Sequence, residues 1–143
     1  MVLNKALITE FEVLNTKNNI YKKLLIDLEM HKKNESLICS VKKIIKHNHK
    51  ILINIEDTIE NELDFSESDD LLEKLYNQPT DFSKLINNKY FKYDIERLQF
   101  MLSRKEEKLN VFLTTDKKDY SLPELFDIKL QILAIRSILE NKE

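Results

Sequence analysis

Apolar residues recur at three- and four-residue steps along almost the whole chain, a spacing that predicts helix after helix. Leu7, Phe11, Leu14, Tyr21, Leu25 and Leu28 form the first stripe, and Asn18 fills the gap in it. The stretch Asn15-Thr-Lys-Asn-Asn19 is weakly helical, so a break in the first helix is expected there. Basic residues after Met30, then Asn34, read as a helix stop, with Ser36 as the cap of the next helix. The second stripe is Ile38, Val41, Ile45, Leu52, Ile55 and Ile59, again with one Asn, Asn48, in the seam. Two Asn residues in apolar seams have two readings. They are solvated at the stripe edge, or they are buried and fix the register of the pairing.

Asp64-Phe-Ser-Glu-Ser-Asp-Asp70 reads as an acidic connector. Asp70 with Glu73 would then cap a short helix over Leu71 to Tyr76, which Pro79 ends. A second short helix runs from Thr80 to Ile86, and Asn87-Asn88 marks a turn. Phe91, Ile95, Leu98, Leu102, Leu109 and Phe112 define a long helix, with the Lys105 stem in the missing seam position. Asp116 to Tyr120 reads as a loop. Ser121-Leu-Pro-Glu124 is a capping box with proline in the first turn. The last helix carries Leu125, Ile128, Ile132, Ile135 and Leu139 on one stripe, widened by Phe126, Leu130 and Leu133. So broad a face needs cover on more than one side, from a central place in the bundle or from another chain.

These patterns predict an all-α helical bundle or antiparallel coiled coil of about five helices, two of them short, in a single helical domain over 1–143. Long helices are expected over about 3–33, 36–63, 90–114 and 122–141, and short ones over about 70–77 and 80–87.

Composition narrows the chemistry. Average usage would give a chain of this length about ten glycines, and it has none. Scarce Ala, Lys far above Arg, and abundant Asn and Ile mark an AT-rich coding sequence, so the loss reports base composition as much as fold. Its consequence is chemical. Phosphate-cradling loops, the dinucleotide fingerprint and the nucleophile elbow all need glycine. No local context marks a catalytic nucleophile, and no catalytic residue or cofactor is expected. His47 and His49 lie about 200° apart on a helix. His31 and Cys39 match no zinc spacing. Asp64, Ser66 and Ser68 begin like a calcium loop, but Asp69 and Leu75 stand where Gly and Glu are needed. No metal site is expected. Ser66 and Ser68, set among acids, are candidates for phosphorylation. The single Cys39 excludes an internal disulfide and points to a reducing compartment. With no leader-like start and no apolar run of membrane-spanning length, cytoplasm or nucleus is the expected location and no membrane contact is expected.

Charge is unevenly laid out. Residues 1–50 carry net +5 and residues 51–82 carry net −9. Lys42, Lys46 and Lys50, with Lys43 beside them, form a basic ridge. Glu60, Glu62, Asp64, Asp69 and Asp70 form an acidic surface. A ridge of lysines can meet phosphates, but Arg, the usual reader of base edges, is scarce. Neutralisation by acids, within the bundle or on a partner, is the preferred reading over direct nucleic-acid contact.

Four segments carry a family likeness: Tyr21-Lys-Lys-Leu-Leu-Ile-Asp-Leu28, Lys46-His-Asn-His-Lys-Ile-Leu52, Pro79-Thr-Asp-Phe-Ser-Lys-Leu85 and Asp94-Ile-Glu-Arg-Leu98. In this order, over residues 20–100, they resemble the small coiled-coil subunits of the inner kinetochore, nearest to the fungal counterpart of centromere protein H. The interruption at 30–36 departs from that pattern. The resemblance implies a non-catalytic subunit of a centromere-bound complex, paired with another helical chain. The expected function is therefore a helical interaction subunit or adaptor, its partner docking on Leu125, Ile128, Ile132, Ile135 and Leu139. The alternative is a small immunity or inhibitor protein of a bacterial or phage conflict system, acting through its acidic segment.

Overall fold

The computed structural model of the chain describes residues 5–31, 34–86, 89–114 and 121–142. Helix α1 spans Lys5–His31, α2 Glu35–Glu62, α3 Phe65–Asn77, α4 Ile95–Thr114 and α5 Leu122–Lys142, with a 3₁₀ helix at Phe82–Ile86 between α3 and α4. The described residues are all-α, as the periodicity predicts. The turn expected at Asn87-Asn88 and the loop expected at Asp116–Tyr120 lie outside the described residues.

Helix α1 does not break at Asn15–Asn19. Thr16, Asn18 and Asn19 each have a partner that offsets a low propensity. The Thr16 hydroxyl donates to the Glu12 carbonyl at 2.8 Å. Asn18 is buried and accepts a hydrogen bond from Asn48 of α2. Asn19 Nδ2 donates to Thr80 Oγ1 at 3.1 Å. At Asn18 and Asn19 tertiary partners thus override local preference, while the Thr16 bond is local to the helix.

Three helix starts differ from expectation, and one side-chain chemistry explains all three. Asn34, not Ser36, caps α2: its Oδ1 accepts from the Leu37 N–H at 3.1 Å. Asp64, not Asp70, caps α3, accepting from the Glu67 N–H at 2.8 Å. The acidic connector is therefore mostly helix. Asp94 accepts from the Arg97 N–H at 2.8 Å, so α4 starts at Ile95 rather than near residue 90. A short Asx side chain reaches the third residue's N–H and satisfies a donor that the helix cannot. Ser121 does the same for Glu124 at 3.4 Å. Asp81 accepts from Ser83 N–H and Oγ, which tightens the next segment into 3₁₀ rather than α geometry.

α1 and α2 pack as an antiparallel hairpin, and so do α4 and α5. Helix α5 lies between them, against α1, α4 and the 3₁₀ helix. Its Leu125, Ile128 and Ile132 meet Leu24 and Leu28 of α1, Val41 of α2 and Leu109 and Leu113 of α4. Leu130, Leu133 and Ala134 meet Ile20 and Phe82. Ile135, Ile138 and Leu139 meet Tyr90 and Leu98. A separate cluster joins Phe11, Leu52, Ile55, Ile59, Leu72 and Leu75 of α1, α2 and α3.

The expected docking stripe is corrected by this arrangement. Leu125, Ile128, Ile132, Ile135 and Leu139 are all buried within the chain, Ile135 completely. A helix apolar all round is a core helix, and here the chain's own elements cover it. The five residues build the core and offer no face to a partner.

Candidate interaction surface

With the apolar stripe in the core, the remaining unusual surface is the corner where α2 ends and α3 begins. Glu60, Asp64, Asp69 and Asp70 are exposed there and Glu62 is half-buried. Exposed Asp57, Glu67 and Glu73 extend the same surface. Lys74 is the one basic residue between 51 and 82. None of these acids makes an ion pair among the described residues, where the pairs are Lys42–Glu29, Lys129–Asp27 and Arg136–Glu106. At the end of α2 the acids face the negative end of the helix dipole, each at a cost of about 0.3–1 kcal/mol. Asp64 is different, since its carboxylate is engaged as the α3 cap.

Phe65 stands in the middle of this corner and is 86% exposed. The chain reading passes over it, because one aromatic in an acidic stretch carries no periodic signal. Helix geometry gives it context: Phe65, Asp69, Glu73 and Tyr76 fall on one side of α3. Tyr76 is anchored at the far end. Its ring meets Phe11 edge-on at 5.2 Å between centroids. Burial and the neighbouring Glu56 carboxylate push its hydroxyl up to about 12. The result is a stripe with an aromatic at each end and carboxylates between. It complements a basic, partly apolar segment, since cations pair with the acids and stack on aromatic faces.

The basic ridge lies elsewhere. Lys42, Lys43, Lys46 and Lys50 are exposed on the first two-thirds of α2. Lys42 reaches Glu29 at 3.6 Å, and no acid of 51–82 neutralises the ridge among the described residues. Ser66 is exposed, whereas Ser68 is buried with its hydroxyl donating to the Phe65 carbonyl at 3.1 Å, which takes Ser68 out of reach of a kinase.

A second polar feature escaped the sequence reading. Lys129 is buried on α5 and its Nζ lies 2.6 Å from Asp27 Oδ2 of α1. That oxygen makes no hydrogen bond of favourable geometry, so the ion pair alone compensates its burial. Beside it Arg136 pairs with Glu106 at 3.2 Å, and the four charges border a recess of about 220 Å³. They cancel in pairs, which leaves no net charge for a ligand. Lys129 follows Ile128 in the apolar stripe, a visible signal, but its partner is about a hundred residues away in sequence.

Among the described residues no cluster of three or more His, Cys, Asp or Glu is placed to hold a metal. No helix there is long and apolar enough to cross a membrane. The fold and surface define a class: an all-α bundle with a charged exterior and an aromatic–acidic stripe on α3. The chain matches no protein-family model, no curated protein and no solved structure.

Proposed function

We propose that the protein is a non-catalytic interaction module that binds a basic protein segment through the α3 stripe and the adjoining end of α2. Phe65 carries this reading. Exposing most of a Phe side chain forfeits about 2 kcal/mol of burial, and the carboxylates at this corner make no ion pair among the described residues. Desolvated aromatics with a charged rim are the usual energetic centres of interfaces. The inner-kinetochore resemblance would make that partner another helical chain. The conflict-system reading would make it the basic surface of a toxin or nuclease. Only the conflict-system reading uses the acidic segment from the outset; the interaction-subunit reading takes the α5 stripe, and with that stripe buried its partner moves to the acidic corner.

The test is co-purification of the full chain from a lysate of its own source, followed by binding measurements with the captured protein. Phe65→Ser, or joint neutralisation of Glu60, Asp69, Asp70 and Glu73 to their amides, should weaken binding by at least about tenfold, or 1.4 kcal/mol. Unchanged affinity for both variants, with the helical spectrum intact, sinks the proposal.

A further inference from the structure

The outer face of α2 is a helix face that no other described element covers. Its buried side is Val41, Asn48, Leu52, Ile55 and Ile59. On the opposite side Lys43, Lys46, Lys50, Ile53, Asp57 and Glu60 are all exposed. Their spacing alternates four and three residues, the seam of a helix–helix contact. The seam is basic in its first half and acidic in its second, with Ile53, an exposed apolar residue, between. None of its five charges has an ion-pair partner among the described residues.

The order of these residues is self-complementary. About a two-fold axis at the level between Ile51 and Leu52, an antiparallel copy sets Lys43 opposite Glu60, Lys46 opposite Asp57 and Lys50 opposite Ile53. Each charged pairing occurs twice, giving four attractive contacts against one like-charge approach, that of the two Lys50 side chains, which stand about 4.5 Å apart along the helix direction on either side of the axis. A parallel copy in register would instead place lysine on lysine and carboxylate on carboxylate. We infer that a second copy of this chain docks antiparallel across the outer face of α2, with Lys43 and Lys46 of each copy neutralised by Glu60 and Asp57 of the other. A closed two-fold contact of one patch with itself is the commonest form of assembly. Exposed ion pairs contribute roughly 0.2–1 kcal/mol each, so the dimer is weak, reversible and salt-sensitive. This contact shares Asp57 and Glu60 with the acidic corner but uses none of Phe65, Asp69, Asp70 and Glu73, so Phe65→Ser, which should weaken partner binding, should leave it unchanged.

Sedimentation equilibrium of the full chain at 10 mM and 500 mM salt tests it, since screening shortens from about 30 Å to a few Å over that range. Self-association in low salt that falls at least tenfold in high salt is expected. Lys46→Glu and Asp57→Lys should each weaken it by about tenfold or more, and the double variant should restore it. A zero-length carbodiimide cross-link keeps the test independent of variants. Lys46 and Asp57 of one chain lie about 16 Å apart along α2, so a Lys46–Asp57 link can form only between copies. Three results overturn the inference: a monomer at the highest concentration in low salt, a folded double variant that fails to reassociate, or a disulfide-linked dimer through Cys39. In the antiparallel pair the two Cys39 residues stand about 37 Å apart, so only a parallel arrangement brings them together.

Discussion

Asn48 of α2 donates from Nδ2 to Oδ1 of Asn18 on α1 at 3.3 Å, inside the hairpin, with Asn18 1% exposed. Each amide is the other's answer to desolvation. Removing one leaves the other buried with unmet hydrogen bonds, at about 1–3 kcal/mol. Asn18→Leu alone should destabilise the chain by that amount in urea unfolding. Asn18→Leu with Asn48→Leu should recover most of it, because two apolar groups pack where two amides met. A double variant less stable than either single one would show that the amides do more than satisfy one another.

The Asp27–Lys129 pair predicts an asymmetric response. The Lys129 side chain is nine-tenths buried, while about a quarter of the Asp27 side chain is exposed. Asp27→Ala strands an ammonium in the core. Lys129→Met strands a carboxylate that can still reach water. Breaking a fully buried pair costs roughly 3–5 kcal/mol. With Asp27 partly exposed, Asp27→Ala should cost somewhat less than that, and clearly more than Lys129→Met. Denaturant midpoints of the two variants give the comparison, and the reverse order would contradict it.

Tyr76 makes stability fall at high pH. Its hydroxyl ionises near 10 in the unfolded chain and near 12 in the folded one, through burial first and the Glu56 carboxylate second. Between those values the folded state holds more protons than the unfolded state, so stability declines as pH rises. Burial raises Tyr21 and Tyr90 in the same direction. Tyr76→Phe should therefore reduce, without abolishing, the fall in thermal midpoint between pH 10 and 12. An equal fall in both proteins would remove Tyr76 from the explanation.

Asp64 caps α3 through the Glu67 N–H. Asp64→Ala should cost about 1 kcal/mol and fray the first turn of α3, seen as faster amide exchange at residues 65–68. Phe65→Ser should change stability by less than about 0.5 kcal/mol. Together they separate what this corner does for the fold from what it offers a partner.

The all-α class was legible from periodicity alone, because stripes such as Leu98, Leu102 and Leu109 need no distant information. Caps were half legible. Ser121 with Glu124 has a sequence signature, but Asn34 and Asp64 compete with nearby Ser36 and Asp70, and only the backbone path selects between them. The breadth of the α5 stripe was readable, and so was its need for cover. Whether the cover comes from the same chain is decided by Ile20, Val41 and Leu98, far away in sequence. The acidic corner was visible as a charge run, while the importance of Phe65 appears only once its exposure is known.

Helix α5 supplies residues to three of the four core clusters, and it is the last described helix to be synthesised. At roughly 5–20 residues per second, the ribosome takes on the order of 3–13 s to travel from the end of α3 to the end of α5. During that interval only the α1–α2–α3 cluster around Phe11 and Ile59 can close. Leu24, Leu28, Val41 and Leu98 must wait uncovered for a helix not yet made. A released chain truncated near residue 80 should be protease-resistant around α3 and cleaved readily near Leu24. The order of translation thus divides a bundle that the finished fold does not, giving it an early tip and a late centre.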